Sequence, residues 1–294
     1  MTESSLRFAL FGNVYQTRWS DAPQRVVSSL RRHGASIAVD RDYFNYLQSA
    51  GTIDLGRVEV FEGDHFEADF AVSMGGDGTL LRTAGRVGRR QTPIVGVNMG
   101  RLGFLTDVGQ DEVEVAVDAI CRGDYVIDNR AVIEVEPVGG ARLEAVHALN
   151  DVAILKTDTA AMISIRASVN GDDVTTYQAD GLIVSTPTGS TAYSLSNGGP
   201  IIVPQTGVLL LTPVAPHSLN VRPIVIPDSA TVELTVESRS HTFLVSVDGS
   251  NEALPEGTTL RLRRAAHVVK IVKRPASRYF NTLRQKMMWG ADVR

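Results

Sequence analysis

The sequence predicts a two-part α/β protein: an N-terminal α/β domain with a parallel sheet and a Gly-Gly-Asp-Gly loop, followed by a larger, mainly β C-terminal domain. Three observations predict it. Through about residue 121, short apolar runs alternate with segments of helical spacing, the signature of βα units. From Tyr125 onward, runs alternate inward- and outward-facing residues with a period of two and meet at Asn-Gly and Asp-Gly turns. A chain of 294 residues also exceeds what one hydrophobic core usually organises. The expected domains are 1–124 (α/β) and 125–274 (β-rich), with 275–294 returning to pack on the N-terminal domain or a neighbouring subunit.

Each element has its own local reason. Phe8-Ala9-Leu10-Phe11 is an apolar strand followed by Gly12-Asn13. Pro23 to Arg32 opens on a proline, closes on basic residues and stops at Gly34, the polarity expected of a helix. Ile37-Ala38-Val39, Phe70-Ala71-Val72-Ser73 and Ile94-Val95-Gly96-Val97 are further strands. In Asp111 to Cys121 the apolar positions Val113, Ala116, Val117 and Ile120 follow i, i+3, i+4, i+7, so one helix face should pack on the sheet. Residues 131–135, 164–169, 231–236 and 243–247 alternate as half-buried strands, with Asn170-Gly171 and Asp248-Gly249 as hairpin turns. No low-complexity linker or internal repeat separates the halves.

Composition narrows the function classes. With 43% hydrophobic and 21% charged residues the chain is an ordinary soluble globule rather than a disordered or fibrous one. A net charge of −4 offers no general attraction to nucleic acid or acidic membranes. Cys121 is the single cysteine and is read as core; it cannot form an internal disulfide. The N-terminus is polar, and every apolar stretch breaks well short of the ~18 residues of a membrane span, so a cytoplasmic protein is expected. The acid-rich stretch Glu62, Asp64, His65, Glu67 and Asp69 reads as a solvated connection rather than a metal site. Arg263, Arg264, Lys270, Lys273, Arg274 and Arg278 read as surface charge on the outer faces of strands and beside them. Arg278 to Trp289 has helical spacing at Leu283, Met287 and Met288.

The chemistry concentrates in three places. Met74-Gly75-Gly76-Asp77-Gly78-Thr79 sits between a strand and a helix start; its glycines allow positive φ and close approach of backbone N–H groups to a bulky anion. Asp77 would repel phosphate unless a metal or a proton-transfer role compensates, although a tight turn with Asp77 as helix N-cap also fits. Asp180 to Ser196 runs from an apolar strand into a hydroxyl-rich turn, where Thr188, Gly189, Ser190 and Thr191 offer donors for sugar and phosphate oxygens or cap a helix. Asn150-Asp151 places an amide and a carboxylate at the edge of an apolar strand, suited to a base edge and a ribose hydroxyl, or to a turn.

Taken together these motifs resemble the NAD kinases, which transfer a phosphate from ATP to the 2′-hydroxyl of the adenosine ribose of NAD. Gly75 to Thr79 is similar to the family's glycine-aspartate motif and Asn98 to Leu105 to the loop after it. Asn150-Asp151 resembles its Asn-acid pair, Asp180 to Ser196 its threonine-glycine-serine signature, and Tyr279 to Leu283 its C-terminal run. The resemblance implies that Asp77 lies beside the 2′-hydroxyl and takes its proton. Carboxylates are weak bases toward alcohols, so Asp77 should mainly orient the hydroxyl and accept the proton late. It further implies ATP phosphate contacts from Gly75, Gly76, Gly78, Thr79 and Arg82. NAD contacts are implied for Asp77, Gly78, Asn150, Asp151, Asp180, Thr191, Ala192, Tyr193, Ser194, Leu195, Ser196 and Asn251.

Mg²⁺ is implied as the cofactor, held largely by ATP oxygens rather than protein ligands. A homodimer or homotetramer is implied, with ATP and NAD as small-molecule partners and neither nucleic acid nor membrane. Two departures stand out. Asp151 is one methylene shorter than the usual Glu, and Asn251 falls one step later than the family's short Asp-Gly-Gln run. A lipid or sugar kinase sharing the Gly-Gly-Asp-Gly motif, or a non-catalytic NAD-binding sensor, are the alternatives. Neither Gly-x-Gly-x-x-Gly after a strand nor Gly-x-x-x-x-Gly-Lys occurs.

Overall fold

The computed structural model describes residues 5–15, 20–50, 54–100, 103–144, 146–158 and 161–288. The extreme N-terminus, Arg101-Leu102 of the loop after the glycine motif, and Trp289 lie outside the described residues. Two compact units divide the chain: residues 1–129 with 269–294, and residues 130–268.

The first unit is built of strand–helix repeats. Its elements are β1 (Arg7–Gly12), α1 (Ala22–Arg32), β2 (Ser36–Asp40), α2 (Arg41–Ala50), β3 (Glu59–Phe61), β4 (Phe70–Gly75), α3 (Asp77–Val87), β5 (Ile94–Asn98), β6 (Val108–Gly109), α4 (Val113–Cys121) and β7 (Val126–Arg130). Every residue of β4 and β5 is buried, as expected of central parallel strands covered on both faces. Helix α1 starts with proline in its first turn, buries Val26, Val27 and Leu30, and ends on Arg31 and Arg32, where cations favour the helix C-terminus. Helix α4 buries Val113, Ala116, Val117 and Ile120, and Arg25 of α1 grips Glu114 of α4 at 2.6 and 2.7 Å. Cys121 differs from expectation: at the end of α4 it is half-buried against the core rather than inside it. Helix α2, which the sequence reading passes over, buries Tyr43 and Leu47.

The second unit is a β-sandwich. Its elements are β8 (Ile133–Val138), β9 (His147–Ala148), β10 (Asp151–Lys156), β11 (Ile163–Val169), β12 (Asp172–Ala179), β13 (Gly181–Ser185), the short helix α5 (Tyr193–Ser196), β14 (Val208–Val214), β15 (Ile224–Pro227), β16 (Val232–Glu237), β17 (Thr242–Val247), β18 (Ser250–Pro255) and β19 (Thr259–Arg264). One sheet runs β15-β14-β13-β10-β17-β18 and the other β12-β11-β16-β19-β8-β9. Alternate residues of both, among them Ile165, Leu234, Leu262, Ile154, Val184 and Val245, close a single core. The β11–β12 and β17–β18 hairpins turn at Asn170-Gly171 and Asp248-Gly249, all four residues at positive φ, as two-residue turns that match strand twist require.

The chain then returns. β20 (Val269–Lys273) pairs in parallel with β5, giving the first sheet the order β3-β2-β1-β4-β5-β20-β7 with β6 beside β5, and α6 (Tyr279–Met287) follows. The compact unit built on the first sheet runs to 129 and takes in 269–294, whereas the sequence places its divisions at 124 and 274. The cause is tertiary, because β20 fills the slot between β5 and β7.

Candidate functional site

In the first unit the site is built on the β4–α3 junction. Gly76, extended at φ −97° and ψ −170°, is the N-cap of α3, so Asp77 is the first helical residue and not the cap. None of Gly75, Gly76 and Gly78 has positive φ, against expectation. The glycines serve close approach instead: a Cβ on Gly75 would lie 2.2 Å from the Thr79 hydroxyl, whereas one on Gly78 meets no protein atom within 4 Å. Thr79 is buried, and Arg82 is exposed one turn on, its guanidinium 3.3 Å from the Thr79 hydroxyl.

The Asp77 carboxylate turns away from its own helix onto the loop after β5. One oxygen, Oδ2, accepts the Phe104 N–H at 2.8 Å. The other, Oδ1, accepts the N–H groups of Leu105 at 3.1 Å and Thr106 at 3.2 Å and the Thr106 hydroxyl at 3.1 Å. Thr106 also receives the Asn98 side-chain amide at 3.0 Å. Gly103 is required by this packing, since a Cβ there would lie 1.9 Å from Asp77 Oδ1. A carboxylate fixed at four points beside the amino end of a helix is positioned, and Gly78, with open space where a Cβ would stand, leaves the approach to that helix end low.

In the second unit a separate cluster forms around Asn150-Asp151. The Thr186 hydroxyl donates to the Leu149 carbonyl at 2.6 Å, the Thr186 N–H to the Asn150 carbonyl at 2.9 Å, and Gly189 lies so close that a Cβ would sit 2.1 Å from the Asn150 carbonyl oxygen. The hydroxyl-rich segment is thus a compact turn, with a short 3₁₀ segment at Gly189–Thr191 leading into α5. Ser194 is buried against Thr212, Thr191, Ala192 and Leu195 are partly exposed, and Tyr193 and Ser196 are exposed.

The carboxylate of Asp248, seen in the sequence only as a turn residue, accepts the N–H groups of Leu149, Asn150 and Asp151 at 2.7, 2.8 and 3.1 Å. Burial raises Asp248 above the ordinary carboxylate range against these three bonds. Asp151 is itself buried, and burial followed by the Asp248 charge pushes it up to about 7. Its negative charge therefore has a standing need for a donor or cation.

Two expected NAD contacts stand apart from this cluster. Asp180 lies at the far end of β13 from Ser185, which faces Asp151; five residues of strand make that about 17 Å. There Asp180 pairs with Lys156 at 2.7 Å. Asn251 is exposed on β18, two strands away from β10.

The basic segment also needs correction. Lys273 is buried, its ammonium 3.2 Å from Asp107 and 3.1 Å from the Leu105 carbonyl, and Arg274 pairs with Glu112 at 2.7 Å. A signal was present in the sequence, for Lys273 directly follows the apolar pair Ile271-Val272 at the end of β20. In the acid-rich stretch Glu62 and Asp64 are spoken for by Arg41 and Arg86, and no group of three metal-ligating side chains occurs among the described residues.

Two family models match the chain, and the second runs past the second unit to include β20. Residues 9–125 match the ATP-NAD kinase N-terminal domain and residues 149–274 the ATP-NAD kinase C-terminal domain. The chain belongs to the NAD kinase family. A curated NAD kinase of Bacteroides fragilis is 50% identical over 289 residues, covering 98% of this chain and 100% of that relative. The crystal structure of an NAD kinase from Archaeoglobus fulgidus in complex with ATP aligns with a TM-score of 0.74 at 26% identity, covering 96% of this chain and 99% of that one. A yeast NADH kinase complexed with NADH shares the fold, with a TM-score of 0.88 at 23% identity over 100% of this chain and 90% of that one. The NAD kinase fold is therefore the fold of this chain, with an α/β unit of parallel strands and a mostly antiparallel β unit.

Proposed function

We propose that the protein is an ATP-dependent NAD kinase: the γ-phosphate of ATP passes to the 2′-hydroxyl of the adenosine ribose of NAD, giving NADP and ADP. The observation that carries the reading is the Asp77 carboxylate, fixed by the 104–106 loop at the start of α3 in a chain half identical to a curated NAD kinase. Gly75, Gly76, Gly78, Thr79 and Arg82 cradle the ATP phosphates, supported by the low glycine approach and the helix N-terminus. Asp77 points the ribose hydroxyl along the line of the γ-phosphate and accepts its proton as the new P–O bond forms and the bond to the ADP oxygen breaks. Positioning of this kind supplies much of the rate in phosphoryl transfer.

Asn150 and Asp151 hold the dinucleotide, with Thr191, Ala192, Tyr193, Ser194, Leu195 and Ser196 around it. Asp180 and Asn251 are proposed as contacts from outside the Asn150-Asp151 cluster. Mg²⁺ neutralises phosphate charge when bound; the described residues offer no carboxylate or imidazole cage for it, so this chain would receive it on the ATP oxygens. A cytoplasmic homodimer or homotetramer is proposed. The oligomer is supported by exposed Ile224 and Val225 on the edge strand β15, and the compartment by the single cysteine. Among the described residues no helix is long and apolar enough to cross a membrane.

The test is NADP formation from NAD, ATP and Mg²⁺ by wild type and Asp77→Asn. Turnover in wild type that falls by ~10²–10⁴ in the variant, with NAD binding retained, is expected. NAD binding without any NADP would make the protein a sensor, and activity only on lipid or sugar alcohols would move it to those kinases.

A further inference from the structure

The segment that returns after the second unit ends on the loop that holds Asp77. Lys273, the last residue of β20, donates from Nζ to the Leu105 carbonyl at 3.1 Å. That carbonyl and the Thr106 N–H belong to one peptide group, and the Thr106 N–H is among the donors to Asp77 Oδ1. A cation on the oxygen of a peptide polarises it and strengthens the hydrogen bond its N–H makes on the other side. Lys273, the 105–106 peptide and Asp77 therefore form a three-member chain.

The lysine is held in turn. Asp107 Oδ2 lies 3.2 Å from Nζ, with both side chains only 10% exposed, and accepts the Ser277 hydroxyl at 3.2 Å. Burial makes this pair sensitive to loss of either partner, because the survivor would be an uncompensated charge. The Lys286 ammonium lies 5.4 Å from the centre of the Phe104 ring, so the returning segment meets the loop at a second point. Loop residues 104–107 thus have Asp77 on one side and the C-terminal return on the other.

We propose that Lys273 is a positioning residue for Asp77: through the 105–106 peptide, and anchored by Asp107, it fixes the loop whose amides aim the carboxylate. A lysine acting through the loop rather than on a substrate should, when removed, lower kcat and leave the KM for ATP and NAD within about threefold. This rests on the NAD kinase reading. The test measures NADP formation by wild type, Lys273→Met, Lys273→Arg and Asp107→Asn, with Arg25→Met as a control that breaks the α1–α4 ion pair, which involves none of residues 103–107.

Lys273→Met is expected to lose about tenfold in kcat per folded molecule, Lys273→Arg to recover part of it, and Arg25→Met to lose none. In an Asp77→Asn background, Lys273→Met should cost less than about threefold, since residues acting through one group are not additive. Amide hydrogen exchange of a peptide spanning 103–108 should quicken in Lys273→Met and not in Arg25→Met. An unchanged kcat, or an equal loss with and without Asp77, overturns the proposal. Should Lys273→Met not fold, Asp107→Asn carries the same test, and wild-type kcat with unaltered exchange there overturns it. A wild type that makes no NADP refutes the functional reading itself, whereas an active wild type with an indifferent Lys273 refutes the positioning role alone.

Discussion

Replacing Asp151 with Asn should stabilise the protein at neutral and alkaline pH while weakening NAD binding. Asp151 is 8% exposed, and burial first, then the charge of Asp248, pushes it up to about 7. In the unfolded chain it titrates near its usual value of about 3.9. The sign follows directly. Between those two values the folded state binds the proton that the unfolded state has released, so stability is lost as pH rises through that window. At 1.36 kcal/mol per unit, a rise of about three units makes the ionised side chain cost the fold at most about 4 kcal/mol above pH 7.

The isosteric amide carries no charge and avoids this cost. Urea unfolding of both proteins at pH 5 and pH 8 checks it. Relative to wild type, Asp151→Asn should gain about 3 kcal/mol more at pH 8 than at pH 5. Parallel pH dependence in the two proteins would refute the reasoning, since it would mean that Asp151 is ionised in the fold at no cost. The same variant should show a raised KM for NAD, the expected trade between a strained site and stability.

Two other substitutions probe the rest of the site. Gly103→Ala puts a methyl 1.9 Å from Asp77 Oδ1 and 2.3 Å from the Thr106 hydroxyl, so it should cost about 1–3 kcal/mol and lower kcat more than tenfold. Gly85→Ala, in α3 with open space around it, should instead add about 0.5–1 kcal/mol and leave kcat unchanged; thermal melts and NADP assays on the pair separate the effects. Asp248→Ala strips the acceptor from three amides of 149–151, so it should cost at least about 2 kcal/mol in urea unfolding and raise the KM for NAD about tenfold.

What the sequence by itself determined was local. The strands from Phe8, Phe70 and Ile94, the buried face of α4, the Asn170-Gly171 and Asp248-Gly249 turns and the order of the motifs were all legible, because periodicity and turn chemistry are properties of neighbouring residues. The Gly75 to Thr79 motif announced a site for the same reason. What only the tertiary structure decided was which groups face each other. Val269–Lys273 reads as a short strand continuous with those of the β unit, yet it completes the first sheet, because a strand's own pattern does not specify which edge will accept it. Asp77 reads as a helix cap until its carboxylate is seen to take its donors from residues 27 to 29 positions later. Asp248 reads as a turn until it is seen holding three amides nearly a hundred residues earlier. Lys273 reads as surface charge until Asp107 is placed beside it. A carboxylate or ammonium binds whatever partner the fold brings within about 3 Å, and that distance is set by the packing of strands far apart in the chain.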